Sequence, residues 1–310
     1  MHALIQLRSA RRQYIGTHFF RNRPELELLV QLLAGKPAGS VLDMAIVACS
    51  KGAEVYSMAY AIRCERPDLK LRLRAVDIAE DVLNFAEAGV YSLGSDTVSG
   101  TPAKGFDPSN EAQVALLTGR DQPLSIFDRI SPEEMAAMFD QDGDEVTVKP
   151  QFRVGMSWHL LDARDQILID ALGHQDIVVA NRFLCHMQPA EAEACLRNLA
   201  GLVKPGGYLF VSGVDLEVRA KVARELDWRP VEDLIREIHE GDPSLRLGWP
   251  LEYWGLEPFQ EGRRDWMIRY ASVFRVGGRS TADATSTASV PGTSSLLNSL
   301  PAAIYESPHR

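Results

Sequence analysis

The sequence has 310 residues, 45% of them hydrophobic, so the chain can bury one large core. Its formal net charge of -9 argues against a nucleic-acid partner, because phosphate binding requires clustered Lys and Arg. No apolar run approaches the roughly 20 residues of a membrane span, and residues 1–8 are too polar and too few for a signal peptide. We therefore expect a cytoplasmic protein with no membrane partner.

The N-terminal part of the sequence alternates between helical and extended patterns. These patterns predict a helix at residues 24–34, a strand at 40–47, a helix at 53–64, a strand at 71–78 and a helix at 80–88. A strand, a helix and a second strand in this order form a β-α-β unit. Such a unit implies a parallel strand pair with a right-handed crossover.

The rest of the chain gives weaker and more varied patterns. Residues 94–125 are rich in Gly, Ser, Asp and Thr and predict irregular structure, and Ser131 with Pro132 begins a helix that ends near Phe139. The later patterns predict extended structure at 145–160, a strand at 176–180, a helix at 189–202, a strand at 208–213 and a helix at 217–239. Two aromatic segments, 251–259 and 267–276, are expected to form an antiparallel pair that closes the sheet, and 277–310 a disordered tail.

The stretch at residues 48–57, Ala-Cys-Ser-Lys-Gly-Ala-Glu-Val-Tyr-Ser, carries the first chemical signal. A strand that breaks at Gly52 and continues as a helix presents unpaired N–H groups and the carboxylate of Glu54 at the carboxyl edge of a sheet. A dinucleotide fits poorly, because G-x-G-x-x-G is missing and a pyrophosphate would lie beside Glu54. Asp77 ends the second strand, where an acid either binds ribose hydroxyls or caps the next helix. An adenosine joined to an amino acid, as in S-adenosylmethionine, suits Asp77 and Glu54 together.

The four cysteines of the sequence show no paired metal-ligand spacing. They are Cys49, Cys64, Cys185 and Cys195. We expect reduced thiols that mostly pack, with Cys49 or Cys185 as the candidates for a ligand contact, and no metal site.

Several segments of the chain match the motifs of one family in the same order. Residues 17–21 read Thr-His-Phe-Phe-Arg, similar to T-x-F-F-R, and residues 48–57 are similar to A-C-S-T-G-E-E-P-Y-S. Residues 176–187 and 202–213 are similar to F-D-x-I-x-C-R-N-V-x-I-Y-F and L-x-P-G-G-x-L-x-x-G. Over about residues 14–215 the chain therefore resembles the CheR-type chemoreceptor methyltransferases. The resemblance implies an α/β, class I methyltransferase fold: a Rossmann-like, mostly parallel sheet with an antiparallel C-terminal strand pair.

The resemblance also implies roles for individual residues. Arg21 would hold the carboxylate of S-adenosylmethionine, Glu54 its amino group and Asp77 its ribose. The residues expected around the adenosine are Ala48, Ile78, His159 and Leu160. Asn181 would bind the cofactor near its methyl-donor end, with Arg182 beside it. Residues 1–38 would form an N-terminal helical segment that contributes to the cofactor site, and 39–276 the methyltransferase domain with a small subdomain at 94–150. The product would be S-adenosylhomocysteine.

Departures from the family pattern concern the methyl acceptor. Asn181 and Arg182 stand where the family has Arg-Asn, His186 where it has tyrosine, and His159 where it has asparagine. We take His186, Arg182 and Asn181 as catalytic candidates: Arg182 could orient a carboxylate acceptor, and His186 or His159 could accept a proton, although either histidine could simply pack.

Two further departures bear on the partner. Only sixteen residues precede Thr17, where the family has a helical domain, and residues 140–145 are acidic where its receptor-tail loop is basic. The aromatic residues of 247–259 could cover an organic acceptor or belong to the core. We expect a small-molecule or peptide acceptor, methylated on O or N. Protein-glutamate methylation and a non-catalytic cofactor sensor are the alternatives.

Overall fold

The computed structural model describes residues 16–94, 125–241 and 257–277. The helices are α1 (Arg23–Leu33), α2 (Ala53–Glu65), α3 (Glu80–Ala88), α4 (Pro132–Met138), α5 (Ile167–Leu172), α6 (Pro189–Leu202), α7 (Leu216–Glu225), α8 (Ile235–Glu240) and α9 (Trp266–Tyr270). The strands are β1 (Val41–Val47), β2 (Lys70–Asp77), β3 (Val90–Ser92), β4 (Phe139–Asp142), β5 (Glu145–Val148), β6 (Met156–Leu160), β7 (Gln175–Asn181), β8 (Val203–Ser212), β9 (Arg229–Pro230) and β10 (Val273–Arg275). Two short 3-10 turns, Pro150–Phe152 and Leu184–His186, connect them.

A seven-stranded sheet organises the fold, in the order β6-β2-β1-β7-β8-β10-β9. The first five strands are parallel, and β10 runs antiparallel to both β8 and β9. The predicted α/β, mostly parallel sheet with antiparallel strands at its C-terminal end is therefore confirmed. The chain reverses its direction of winding between β1 and β7, and ligands of open parallel sheets bind at such a switch point.

Local sequence explains where the main elements begin. Asn22 caps α1, and its side-chain oxygen accepts a hydrogen bond from the N–H of Glu25 at 3.4 Å. Ser131 and Glu134 form a capping box around the start of α4. Strand β1 is buried from its second residue onward, because helices cover both faces of the sheet.

Residues 90–148 contribute a second, three-stranded antiparallel sheet in the order β3-β5-β4. The extended stretch predicted at 145–160 is thus divided between two sheets, with the turn at Pro150 separating β5 from β6. Residues 95–124, most of the predicted irregular segment, lie outside the described residues. The predicted tail does too, except for Gly277.

The C-terminal elements differ from the sequence prediction in two ways. The single helix predicted at 217–239 is wrong: α7 ends at Glu225, Arg229–Pro230 pairs with β10, and α8 begins at Ile235. Burial of Trp228 against Phe274 favours this break over a continuous helix. The segment predicted as a strand at 267–276 begins inside helix α9 and continues as β10, both edges of which are occupied, by β8 and β9, so the predicted pairing with 251–259 is wrong. Residues 251–256 lie outside the described part of the chain.

Candidate functional site

The loop after β1 has an unusual backbone at the carboxyl edge of the sheet. Ala48 and Ser50 have φ angles of +60° and +51°, in the left-handed region that side chains other than glycine rarely adopt. Between them, the N–H of Cys49 donates to the carbonyl of Val76 at 2.9 Å, which joins the loop to β2. The surrounding fold thus holds the loop in a strained shape, as is common at functional sites.

Gly52 ends this loop and precedes α2. Its φ is +82°, and a Cβ built on it would lie 3.0 Å from Cβ of Ala86 and 3.3 Å from the ring of Tyr56. Both the backbone conformation and the space therefore require glycine. The close packing places the first turn of α2, with Glu54, at the sheet edge.

Asp77 ends β2 and is 5% exposed. Its Oδ2 accepts from the N–H of Ser50 at 2.8 Å, and its Oδ1 from Ile78 at 2.8 Å and Ala79 at 3.1 Å. Burial raises the pKa of this carboxyl, and the three backbone donors act in the opposite direction. A carboxylate has about four acceptor positions, so one remains for a ligand hydroxyl. The helix-cap alternative is wrong, because Ala79 is the N-cap of α3 and the Asp77 carboxylate bonds only N–H groups that precede the first helical residue, Glu80; the ligand contact stays a prediction.

The Phe-Phe-Arg segment before α1 is held by its two aromatic side chains. Phe19 is fully buried and stacks on Phe127 at 5.4 Å between ring centroids, and the N–H of Phe20 donates to Oγ of Ser57 on α2 at 2.9 Å. Arg21 follows, with one Nη bonded to the carbonyl of Gly16 at 2.8 Å. Anchoring both phenylalanines fixes the position from which the Arg21 guanidinium reaches the site.

A buried polar cluster joins α1, α2 and β7. Nδ2 of Asn181 donates to Oε1 of Glu25 at 2.8 Å and to Oε1 of Glu54 at 2.9 Å, while its Oδ1 accepts from Oγ of Ser212 at 2.8 Å. Glu25 and Ser212 were not among the site residues predicted from the sequence. The one available signal for Glu25 was an acid among the apolar positions of α1, where a lone carboxylate is unusual.

Burial dominates the electrostatics of this cluster. It raises the pKa of Glu25 to about 8, with a further rise from the neighbouring Glu54 and opposing effects from Asn181, Arg21 and Arg182. Burial also raises the pKa of Glu54, against the same amide and the two guanidinium groups. Two acids and two arginines thus lie close enough to influence one another, and Glu25 and Glu54 interact strongly.

The turn after β7 carries the remaining catalytic candidates. Arg182 has φ +61°, and its N–H donates to the carbonyl of Ser212 at 2.9 Å. Gly213 packs directly on it, since a Cβ there would lie 2.6 Å from Cα of Arg182. His186 ends the following 3-10 turn, half-buried, with its N–H bonded to the carbonyl of Phe183 at 3.1 Å. The turn therefore has one tightly fixed shape.

A cavity opens beside the loop after β1. It is lined by apolar and acidic residues of the carboxyl edge: Val47, Ala48, Asp77, Ile78, Leu161, Asp162, Ala163, Phe183 and Met187. Three residues predicted around the adenosine or ribose, Ala48, Asp77 and Ile78, are among them. His159 and Leu160 are not: Nε2 of His159 lies 2.8 Å from Oγ of Ser157, and Leu160 is 51% exposed. Strand β6 ends at Leu160, so the next two residues, Leu161 and Asp162, line the cavity instead.

The donor set suits an organic zwitterion attached to a nucleoside. An acid and an apolar wall line one cavity, and the carboxyl groups of α1 and α2, on which two guanidinium groups act, meet at Asn181 at the end of β7. Within the described ranges, no group of three or more His, Cys, Asp or Glu side chains could hold a metal ion. All four cysteines are free thiols, and Cys49 and Cys185 are buried beside the site.

Comparison with known proteins agrees with this geometry. Residues 16–107 match the model of the CheR methyltransferase, SAM binding domain. The chain is 28% identical over 200 residues to chemotaxis protein methyltransferase 1 of Pseudomonas aeruginosa, covering 63% of this chain and 64% of that protein. It is 26% identical over 206 residues to chemotaxis protein methyltransferase 1 of Vibrio cholerae, covering 63% and 62%. The match thus spans less than two thirds of the length of either relative.

Among solved structures, the N-methyltransferase NodS from Bradyrhizobium japonicum WM9 in complex with S-adenosylhomocysteine matches with a TM-score of 0.36 and 14% identity, covering 74% of this chain and 87% of that one. Residues 16–107, which include β1, the loop after it and β2, are thus similar to a methyltransferase domain that binds S-adenosylmethionine. Over the matched residues the chain is similar to the CheR-type methyltransferases.

Proposed function

We propose that this protein transfers a methyl group from S-adenosylmethionine to a small molecule or a free side chain. The observation that carries the cofactor half is the position of Glu54 at the sheet edge, where Nδ2 of Asn181 donates to its Oε1 at 2.9 Å and the guanidinium of Arg21 opposes the rise that burial gives to its pKa. A zwitterionic amino-acid group needs one partner of each sign. Arg21 would take its carboxylate and Glu54 its ammonium.

The adenosine would occupy the cavity beside the loop after β1. Ala48, Ile78 and Leu161 offer apolar walls, and Asp77 has one acceptor position for a ribose hydroxyl. Asp162, which also lines the cavity, is bonded to Arg164 through both carboxylate oxygens. Because His159 and Leu160 do not line the cavity, we propose that the apolar wall residues, Leu161 among them, make the adenosine contacts that were predicted for these two.

The cofactor would supply the methyl group. The protein must align the acceptor with it and exclude water, and this alignment can lower the activation barrier by roughly 7 to 11 kcal/mol. Arg182 and His186 lie on the tight turn after β7, next to Asn181. For a carboxylate acceptor, Arg182 would orient the attacking oxygen and no base would be needed. For an amine or hydroxyl acceptor, His186 would accept the proton.

Two observations favour an acceptor other than a receptor tail. Residues 140–145, the β4–β5 hairpin, are all exposed and include four acids, so an acidic peptide would be repelled. A second cavity is lined by Asn22 and by C-terminal residues that include Ser212, the partner of Asn181, together with Arg219, His239 and Tyr270. A small acceptor would bind between these elements.

The experiment uses purified protein, S-adenosylmethionine labelled in its methyl group, and an extract of the host cell. We expect label in a low-mass product, lost in Glu54→Gln and kept in the matched Glu87→Gln, whose side chain is exposed on α3. His186→Phe should abolish transfer to an amine or hydroxyl while S-adenosylhomocysteine still binds. Absence of binding to the wild-type protein would refute the proposal.

Protein-glutamate methylation is the second candidate, because the matched relatives of Pseudomonas aeruginosa and Vibrio cholerae are named chemotaxis protein methyltransferases. It makes a different prediction in the same experiment. The label would then appear on protein and would be released by mild base, as expected for a carboxyl ester. A protein that binds S-adenosylhomocysteine but transfers no label to any fraction would support a cofactor sensor instead.

A further inference from the structure

Two acidic side chains share one amide nitrogen at the buried end of the site. Nδ2 of Asn181 is 2.8 Å from Oε1 of Glu25 and 2.9 Å from Oε1 of Glu54. These residues come from β7, α1 and α2, and Oγ of Ser212 fixes the other end of the amide at 2.8 Å. Because both amide hydrogens are used in this way, the two carboxyl groups are held next to each other by the fold itself.

Close carboxyl groups in a buried place do not both ionise at neutral pH. Glu25 is 4% exposed, and burial raises its pKa to about 8, with a further rise from Glu54. Burial raises the pKa of Glu54 as well. Arg21 and Arg182 oppose both shifts without cancelling them. Near pH 7 the pair therefore holds a proton that ordinary glutamates would have lost.

We propose that Glu25 and Glu54 share one proton in the cofactor-free protein, and that the cationic amino group of S-adenosylmethionine displaces this proton on binding. One O–H bond breaks, the pair becomes fully ionised, and the proton passes to the solvent. Glu25 acts here as a positioning residue, through Asn181 and Glu54. The cofactor half of this inference rests on the proposed function, whereas the shared proton does not.

Three other titratable groups near the site keep one charge state between pH 6 and 8. Burial lowers the pKa of His18 to about 3, raises that of Cys185 to about 12 and raises that of Cys49 well above its usual value. The charged groups that act on Glu25 are Glu54, Arg21 and Arg182. A proton released in this range is attributed to the carboxyl pair by its loss in Glu25→Gln, because that variant leaves His186, on the turn after β7, unchanged.

The shared proton is tested without cofactor by unfolding the wild-type protein and Glu25→Gln between pH 5 and 8. A carboxyl whose pKa is raised in the folded state binds more protons than in the unfolded chain, so stability falls as pH rises through this window. As the pH is raised, the unfolding equilibrium constant of the wild type should increase relative to that of Glu25→Gln, by up to tenfold for each pH unit. A constant ratio across the range would overturn proton sharing.

The displacement is tested by titrating S-adenosylhomocysteine in buffers of different ionisation heat at pH 6.5 to 7.5. We expect the wild type to release close to one proton for each ligand bound. Its affinity for S-adenosylhomocysteine should increase by up to tenfold for each unit by which the pH is raised. Glu25→Gln should lose both effects; Glu27→Gln, a half-buried residue of the same helix, should keep them. Release that persists in Glu25→Gln would overturn the assignment to this pair. No binding by the wild type would refute the proposed function and the displacement, leaving the unfolding result to decide the shared proton.

Discussion

The carboxylate of Asp77 accepts a hydrogen bond from the backbone N–H of Ser50 at 2.8 Å, and this bond ties the end of β2 to the loop after β1. The same carboxylate also receives the N–H groups of Ile78 and Ala79. One acid thus joins the candidate cofactor loop to the turn that precedes α3. Its side chain has a structural task even before any ligand contact.

Asp77→Asn should therefore weaken both folding and binding. The amide keeps one acceptor oxygen, but its NH₂ group would face the donor N–H of Ser50, so we expect a loss of about 1 to 3 kcal/mol in unfolding free energy. Affinity for S-adenosylhomocysteine should fall as well. Urea unfolding and calorimetry measure the two effects, with the exposed Glu87→Gln as the control. Wild-type stability in Asp77→Asn would show that the three hydrogen bonds are energetically unimportant.

Gly52→Ala tests the conformation of the loop. The new Cβ would add left-handed strain at φ +82° and a 3.0 Å contact with Cβ of Ala86, so we expect about 1 to 3 kcal/mol of destabilisation. Gly35→Ala is the matched control, because its φ is not left-handed and its Cβ would meet nothing within 4 Å. Chemical denaturation of both variants gives the comparison. Equal stability of the two would mean that the loop relaxes around the added methyl group.

Arg21 and Arg23 provide a matched pair that separates binding from stability. Arg23 bonds both carboxylate oxygens of Glu134 at 2.8 Å, whereas Arg21 donates to the carbonyl of Gly16 and acts electrostatically on Glu54. Arg21→Ala should weaken S-adenosylhomocysteine binding by roughly 10 to 100-fold with little change in stability. Arg23→Ala should cost about 1 to 2 kcal/mol of stability and leave affinity nearly unchanged. If Arg23→Ala weakens binding as much as Arg21→Ala, the assigned role of Arg21 is wrong.

The fold was predictable from sequence where apolar runs are buried on both faces. The β1, α2 and β2 segments and helix α6 were predicted within one or two residues, because their periodic patterns agree with their tertiary environment. The interruption near Asp227 of the helix predicted at 217–239 was not predictable from the sequence. A helical pattern continues through it, but pairing of Arg229–Pro230 with β10 and burial of Trp228 override local preference.

The site was predictable only in part, for a similar reason. Motif matching selected Arg21, Glu54 and Asp77, whose roles remain predictions. It could not find Glu25, because the contact that gives this residue its chemistry is with Asn181, 156 positions away. The end of β6 shows the same limit on a smaller scale: its exact last residue decides that Leu161, and not His159, lines the cavity.

Asn181→Asp tests the electrostatics of the cluster most directly. It replaces the amide that donates to Glu25 and Glu54 with a third carboxyl group, so at pH 8 we expect a loss of about 2 to 4 kcal/mol in unfolding free energy. The difference in unfolding free energy between Asn181→Asp and the wild type should become smaller as the pH falls to 5. Carboxyl groups with raised pKa values are protonated in the folded state at a higher pH than in the unfolded chain, which removes their repulsion. Asn181→Ala removes the same hydrogen bonds without adding a charge, so its difference in unfolding free energy from the wild type should depend less on pH. Denaturant unfolding at both pH values measures this, and equal pH dependence of the two variants would show that the acids of α1 and α2 do not repel the new group.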